Sequence, residues 1–199
     1  MLYQIHRYPA DLIDVVRLAD GQRVVVRPVL PQDKDLTGAF FSELSGSARY
    51  NRFMTLMREV PGELLERFTH VDYADHLALV ATTFVDGEEH VIAEARYARG
   101  PEPAAAEFAV SVAEAWQGRG LASLMLSKLA CRAASAGVRH LRGETLATNA
   151  QMVHLARKAG FIITASPEIA GLLQLNKELE TPQPGRICSG LDMAAPVAA

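Results

Sequence analysis

The 199-residue sequence predicts a mixed α/β layer fold, in which a sheet of about six or seven strands carries helices on both faces. Three observations support this prediction. Apolar runs of strand length recur along the chain, segments with helical spacing interrupt them, and turns containing Gly or Pro separate the two kinds. A hydrophobic share of 49% and a charged share of 22% are ordinary for one globular domain with a sizeable core.

The first half of the chain begins with a predicted hairpin. Two β-rich runs flank Asp20-Gly21, a dipeptide typical of hairpin turns, so residues 14–27 are assigned to this hairpin. The other elements expected here are three helices that begin near Pro31, Ser47 and Pro61, and two strands over residues 77–85 and 90–98.

The second half alternates strands and helices. The expected elements are a strand ending at Val112, a helix from Leu121 to about Ala136, a strand over 139–146, a helix opened by Asn149, and strands over 161–164 and 172–179. One domain is therefore expected over residues 1–180. Residues 181–199, which are rich in Pro and Ala, are expected to form a flexible tail.

The segment 116–123 joins a predicted strand to a predicted helix through Gly118 and Gly120. Alternate glycines let successive backbone N–H groups point into one concavity, and a helix N-terminus adds unpaired N–H groups and the positive end of its dipole. This geometry suits an anion, most naturally a pyrophosphate. A turn that binds nothing remains an alternative. A Walker loop is excluded, because no Gly-Lys-Ser/Thr follows, and a Rossmann turn would need glycine at Ser123.

The pattern Gln117-x-x-Gly120-x-Ala122 resembles the first signature of the GNAT superfamily of acyl-CoA-dependent N-acyltransferases. Downstream, Asn149 opens a helix that ends in Gly160-Phe161, which resembles the second signature of that superfamily. The resemblance implies a GNAT fold with a central, mixed and mostly antiparallel sheet, and acetyl-CoA as co-substrate without a metal. The coenzyme-binding positions that it implies are Val110, Val112, Gln117, Gly118, Arg119, Gly120, Leu121, Ala122, Ser123 and Asn149.

A second resemblance concerns the acceptor. The segments Arg49-Tyr50-x-Arg52-Phe53-Met54 and Val71-Asp72-Tyr73-x-x-His76 are similar to the acetyltransferase domain of bacterial Pat-type protein-lysine acetyltransferases. This implies a protein lysine as the favoured acceptor. The alternatives are a small-molecule amine or amino acid as acceptor, or a module that binds acyl-CoA as a sensor without catalysis.

Glu107 is the candidate general base. It lies between the apolar residues Ala106 and Phe108, so we expect it to be partly buried, and burial without a partner raises the pKa of a carboxyl group. The alternative is a structural role, in which Arg96 lies opposite Glu107 across a hairpin and neutralises it. The resemblance favours the base, because in GNAT enzymes a Glu on the strand before the pyrophosphate turn often has this role.

The expected reaction is direct attack of a neutral amine on the thioester carbonyl, with a backbone N–H near Val112 stabilising the oxyanion. A lysine amine with a pKa near 10.4 is only about one part in 1,000 neutral at pH 7.4, a handicap of roughly 4 kcal/mol. Many GNAT enzymes protonate the departing thiolate with a Tyr, and Ala156 stands at that position here. His154 and Ser111 are the other candidates, unless coenzyme A leaves as the thiolate.

Composition and motifs also argue against several functions. A net charge of -3 argues against nucleic-acid binding, and the absence of an apolar segment of spanning length argues against a membrane protein. Residues 1–10 do not resemble a signal peptide, so a cytoplasmic location is expected. The ligand-type side chains within 70–76 match no zinc spacing, and both cysteines are expected to be free thiols. No pattern indicates the oligomeric state, and a homodimer is one option.

Overall fold

The computed structural model describes residues 8–180, and the tail expected over 181–199 lies outside the described residues. Within 8–180 there are eight strands and five α-helices. The strands are β1 (Asp14–Arg17), β2 (Arg23–Pro28), β3 (His76–Val85), β4 (Glu88–Arg99), β5 (Ala105–Val112), β6 (His140–Leu146), β7 (Ile162–Ala165) and β8 (Leu172–Glu178). The helices are α1 (Lys34–Glu43), α2 (Gly46–Phe53), α3 (Gly62–Thr69), α4 (Leu121–Ser135) and α5 (Ala150–Lys158).

All eight strands form one sheet in the order β1-β2-β3-β4-β5-β6-β8-β7. Every neighbouring pair is antiparallel except β5 and β6, which are parallel. The mixed, mostly antiparallel sheet confirms the predicted fold class. The sheet has eight strands in the described residues, against the six or seven expected, because every segment predicted as a strand, including the short edge strands β1 and β7, pairs into the same sheet.

Successive side chains of β4 point to opposite faces of the sheet, and their contacts show that helices lie on both faces. On one face, Glu94 bonds Arg52 of α2, and the guanidinium of Arg96 stacks 3.7 Å from the ring centre of Phe68 in α3. On the other face, the Arg99 side chain donates to the carbonyl of Ala136, just beyond the end of α4. The helices therefore cover both faces, and the buried side chains between them and the sheet form the core.

The ends of the helices follow from local sequence. The Ser45 hydroxyl accepts a hydrogen bond from the Ala48 N–H at 3.2 Å and opens α2, and the Asn149 side chain caps α5 in the same way through the Met152 N–H at 3.2 Å. Arg49 then fixes α2 to α1, because its guanidinium donates to the carbonyls of Ser42 and Leu44 at 2.7 and 2.8 Å.

Strands β5 and β6 diverge, and this divergence creates the main cleft. They pair only where residues 105–107 meet residues 140–142. Beyond this point β6 pairs only with β8, while β5 continues to Val112 along β4. One edge of β5 therefore keeps backbone polar groups that no strand satisfies, which makes it a ready binding edge for an extended ligand.

One expectation about cysteine is wrong. Cys131, on α4, is disulfide-bonded and is not a free thiol, because sequence spacing alone does not predict disulfide pairing. Cys188 lies outside the described residues. Among residues 8–180, no helix has both the length and the apolar character needed to cross a membrane.

Candidate active site

The cleft between β5 and β6 opens into the main cavity of the described chain, with a volume of about 660 Å³. It runs from the turn before α4, along the free edge of β5, to the side of the sheet that α2 and α3 cover. All but one of the positions predicted to bind coenzyme or to catalyse line it, namely Glu107, Val110, Val112, Gln117, Gly118, Gly120, Leu121, Ala122, Ser123 and Asn149.

The turn before α4 is a backbone cradle. Gly118 and Gly120 have φ of 73° and 83°, a left-handed conformation that L-residues with side chains adopt only with strain. Gly120 is the N-cap of α4, and no side chain caps this helix end. The N–H groups of Leu121, Ala122 and Ser123 therefore have no partner within the helix and remain available to an anion.

Arg119 is the predicted position that does not line the cavity. Its guanidinium forms an ion pair with Asp20 at 2.6 Å, donates to the Gln22 side-chain oxygen at 2.6 Å, and stacks on the Trp116 ring at 4.8 Å. The side chain therefore ties the turn to the β1–β2 hairpin. This contact leaves the Arg119 backbone within the cradle but gives its side chain a structural role, which spacing along the sequence could not indicate.

The free edge of β5 presents two amides to the cleft. The Ala113 N–H donates to the carbonyl of Ile92 on β4, so by alternation the N–H groups of Val110 and Val112 point away from β4 and toward the cleft. The side chain of Gln117 donates to the Val112 carbonyl at 3.0 Å, which fixes the turn against the end of the strand. The edge of β5 and the cradle therefore form one continuous set of donors.

Glu107 also lines the cavity, but its surroundings differ from the prediction. Its side chain is exposed, and it lies at the last β5–β6 pair, where the two strands begin to diverge. The residue opposite Glu107 on β4 is Ala98, while Arg96 lies opposite Ala109. The expectation of partial burial and the alternative of a pairing with Arg96 are therefore wrong, and the carboxylate of Glu107 lines the cleft.

The position that carries Tyr in many GNAT enzymes holds a buried alanine in this chain. Ala156 is fully buried, on the inner face of α5, and does not reach the cavity. His154 and Ser111 both line the cavity. Ser111 lies four residues beyond Glu107 on the same face of β5, since side chains alternate along a strand.

A buried charged cluster adjoins the cavity on the face of the sheet covered by α2 and α3, and sequence analysis missed it. Glu94 is fully buried and binds Nε of Arg96, with Arg52 at 3.4 Å from its other oxygen. Arg96 also donates to the Phe68 carbonyl at 3.2 Å and lies 3.3 Å from Nε2 of His76. The residues of this buried cluster come from α2, α3, β3 and β4, so no local sequence pattern could have identified the cluster.

Within this cluster, His76 has a strongly lowered pKa. Burial, and then the neighbouring Arg96 guanidinium, lower the pKa of His76 from 6.5 to about 4. The imidazole is therefore neutral near pH 7 and accepts a hydrogen bond from Arg96. The segment 70–76 has structural contacts rather than a ligand set, since Asp72 accepts from three backbone N–H groups at 2.8 to 2.9 Å. Among residues 8–180, no group of three or more ligand-type side chains is placed to hold a metal ion.

Comparison with known proteins agrees with this geometry. The model of the acetyltransferase (GNAT) family matches residues 42–161. An acetyltransferase of Pseudomonas aeruginosa is 31% identical over 154 residues, which cover 77% of this chain and 83% of that protein. The crystal structure of the GNAT domain of S. lividans PAT superposes with a TM-score of 0.78 at 31% identity, over 87% of this chain and 100% of that domain.

A second solved structure contains acetyl-CoA. A protein of Salmonella typhimurium, solved with its cofactor acetyl-CoA, has a TM-score of 0.64 at 20% identity and covers 79% of this chain and 94% of its own. The family match spans more than half of the described residues and contains the cradle, the free edge of β5 and Glu107. This chain belongs to the GNAT family and is an acetyltransferase.

Proposed function

We propose that the protein is an acetyl-CoA-dependent N-acetyltransferase that transfers the acetyl group to a primary amine, with a protein lysine as the favoured acceptor and Glu107 as general base. The observation that carries this proposal is the cleft between β5 and β6, where a backbone cradle, two free strand amides and the carboxylate of Glu107 line a single cavity.

The cofactor has a natural place along this line of donors. The pyrophosphate lies against the N–H groups at the start of α4, where the helix dipole stabilises its charge. The pantetheine arm adds to the free edge of β5 like an extra strand. The thioester carbonyl then accepts from an amide of β5 at Val110 or Val112, which stabilises the oxyanion of the tetrahedral intermediate.

Glu107 is the proton acceptor. An ammonium acceptor must lose a proton before attack, and for a lysine this costs roughly 4 kcal/mol at pH 7.4. Glu107 faces the cleft from the same strand that holds the thioester, so it takes the proton directly or through a water molecule. The amine nitrogen then attacks the carbonyl carbon, the C–S bond breaks, and coenzyme A leaves.

Departure of coenzyme A requires little help. A thiol with an ordinary pKa near 8.5 leaves acceptably as its thiolate, so loss of the family Tyr at Ala156 does not prevent reaction. Ser111 and His154, which both line the cavity, are able to donate a proton or hydrogen bond within it. A sensor that binds acyl-CoA without turnover is the second candidate, and Ala156 is the observation that favours it.

The test of the base is the variant Glu107→Gln. We expect it to bind acetyl-CoA as the wild type does and to lose about 100-fold or more in kcat, because a general base contributes about 10² to 10⁴. Glu102→Gln is the matched control, since Glu102 is an exposed carboxylate paired with Arg142 at 2.5 Å and does not line the cavity. Unchanged turnover in Glu107→Gln would show that another group, or water alone, removes the proton.

A further inference from the structure

Arg52 is a buried cation whose hydrogen-bonding capacity is largely unused. Its side chain is only 10% exposed, and its Nε has no hydrogen-bond partner among the described residues. Its one ion pair, to Glu94, is long at 3.4 Å. A buried guanidinium whose charge is weakly paired is costly, so an anion that reaches it from the cavity gains a strong, charge-assisted interaction.

The neighbouring Arg96 differs, because each arm of its guanidinium has a partner. Its Nε binds Glu94, one terminal nitrogen meets His76 and the other donates to the Phe68 carbonyl. Glu94 is therefore engaged mainly with Arg96 and neutralises only one of the two cations. The cluster contains two guanidiniums and one carboxylate, so cations outnumber anions in it.

The excess charge adjoins the region where the acceptor must bind. Arg52 and Glu107 line the same cavity. Glu107 projects from the same face of the sheet as Glu94 and Arg96, because Glu107 lies opposite Ala98, and Ala98, Arg96 and Glu94 alternate on one face of β4. Three rings hold the Arg52 guanidinium in place, those of Phe41, Phe53 and Phe68, at 5.0 to 5.7 Å.

We infer that Arg52 is a specificity residue that binds a carboxylate of the acceptor, located beside the amine that is acetylated. This inference rests on the proposed function and names the acceptor class within it. A carboxylate in the cavity would pair with the part of the Arg52 guanidinium that lines it and neutralise the excess charge, while the adjacent amine meets Glu107 and the thioester. An acidic residue next to a lysine in a protein and the α-carboxylate of an amino acid both supply this chemistry.

The test compares two pairs of acceptors in a thiol-release assay with acetyl-CoA. One pair is a lysine peptide with Asp or Asn beside the lysine, and the other is free lysine and lysinamide. For one of the pairs, the wild type should have a kcat/KM about ten- to hundredfold higher with the carboxylate form, as for a hydrogen bond to a charged group. The pair that shows the preference identifies the source of the carboxylate.

The variants assign the preference to Arg52. In Arg52→Gln the ratio within the pair should fall to about one, while Arg52→Lys should retain part of it. Arg67→Gln is the control, because Arg67 is an exposed cation on α3 that does not line the cavity, and it should keep the wild-type ratio. A merely structural role of Arg52 would lower kcat/KM for both members of the pair and leave the ratio unchanged.

Two results would overturn the inference. One is a wild-type enzyme that treats both members of each pair alike, which would leave the proposed function intact. The other is a preference that persists in Arg52→Gln. If no amine releases thiol, the proposed function fails instead, and calorimetric titration of the two peptides into the protein saturated with coenzyme A then tests the same carboxylate preference through binding alone.

Discussion

At the scale of single residues, His76 makes the stability of the folded protein depend on pH. Its pKa is lowered to about 4 in the folded protein, first by burial and then by Arg96, against 6.5 when unfolded. The unfolded chain therefore binds more protons between these values, so stability is full above pH 6.5 and declines as the pH falls toward 4. We expect a loss of roughly 2 kcal/mol from this residue, after a discount for the part of the ring that solvent reaches.

Urea unfolding between pH 7 and pH 4.5 measures this contribution. The variant His76→Gln keeps an acceptor for Arg96 but does not titrate, so its free energy of unfolding should decline less than that of the wild type. His154→Gln is the control, because His154 is exposed, and its curve should follow the wild type. Parallel curves for wild type and His76→Gln would mean that His76 is not held neutral in the folded protein.

Single residues are also where sequence analysis was least accurate. The neighbours Ala106 and Phe108 suggested burial for Glu107, but they point to the opposite face of β5, under the helices, while Glu107 faces an open cleft. The buried carboxylate is Glu94, whose partners come from other elements. Exposure and long-range pairing depend on which elements meet in space, and a single sequence carries no local pattern for that.

At the scale of elements, the turn before α4 carries the coenzyme-binding hypothesis. A residue with a Cβ at position 120 would have to adopt φ of 83°, and its side chain would lie over the cradle. We therefore expect Gly120→Val to weaken acetyl-CoA binding more than tenfold, measured by calorimetry, in addition to a cost of about 1 to 2 kcal/mol in stability.

The control for this prediction is Gly171→Val. Gly171 has φ of 81°, and a Cβ added there, as at Gly120, would meet no atom within 4 Å. Gly171 does not line the cavity, so its variant should lose comparable stability and retain full acetyl-CoA binding. If the two variants bind acetyl-CoA equally well, the turn before α4 is not the pyrophosphate site.

Elements were the most predictable level of this structure. The apolar runs and the glycines at positions 118 and 120 located β5, the turn and α4 in the right order, because strand alternation, turn chemistry and helix capping are local properties. The register of β4 and β5 was not predictable in the same way. It depends on the conformation of the loop over residues 100–104, which sets Ala98 rather than Arg96 opposite Glu107.

At the scale of the whole molecule, the divergence of β5 and β6 turns a sheet into a binding site. In the proposed site, the edge of β5 that β6 leaves unpaired provides the amides, the start of α4 provides the anion site, and α2 and α3 cover the acceptor side with the buried charged cluster. The fold class followed from the sequence because two spaced motifs fix its centre. The acceptor side did not, because its residues come from segments with weak patterns.

The most direct test of the central claim is a thiol-release assay on the full chain with acetyl-CoA and a panel of amines, after calorimetric titration of acetyl-CoA into the same sample. We predict binding, followed by release of coenzyme A that depends on an added amine and is greatest with lysine peptides. Acetyl-CoA binding without release on any amine would contradict the claim of catalysis and favour a sensor. Absence of acetyl-CoA binding would contradict the assignment of the cleft itself.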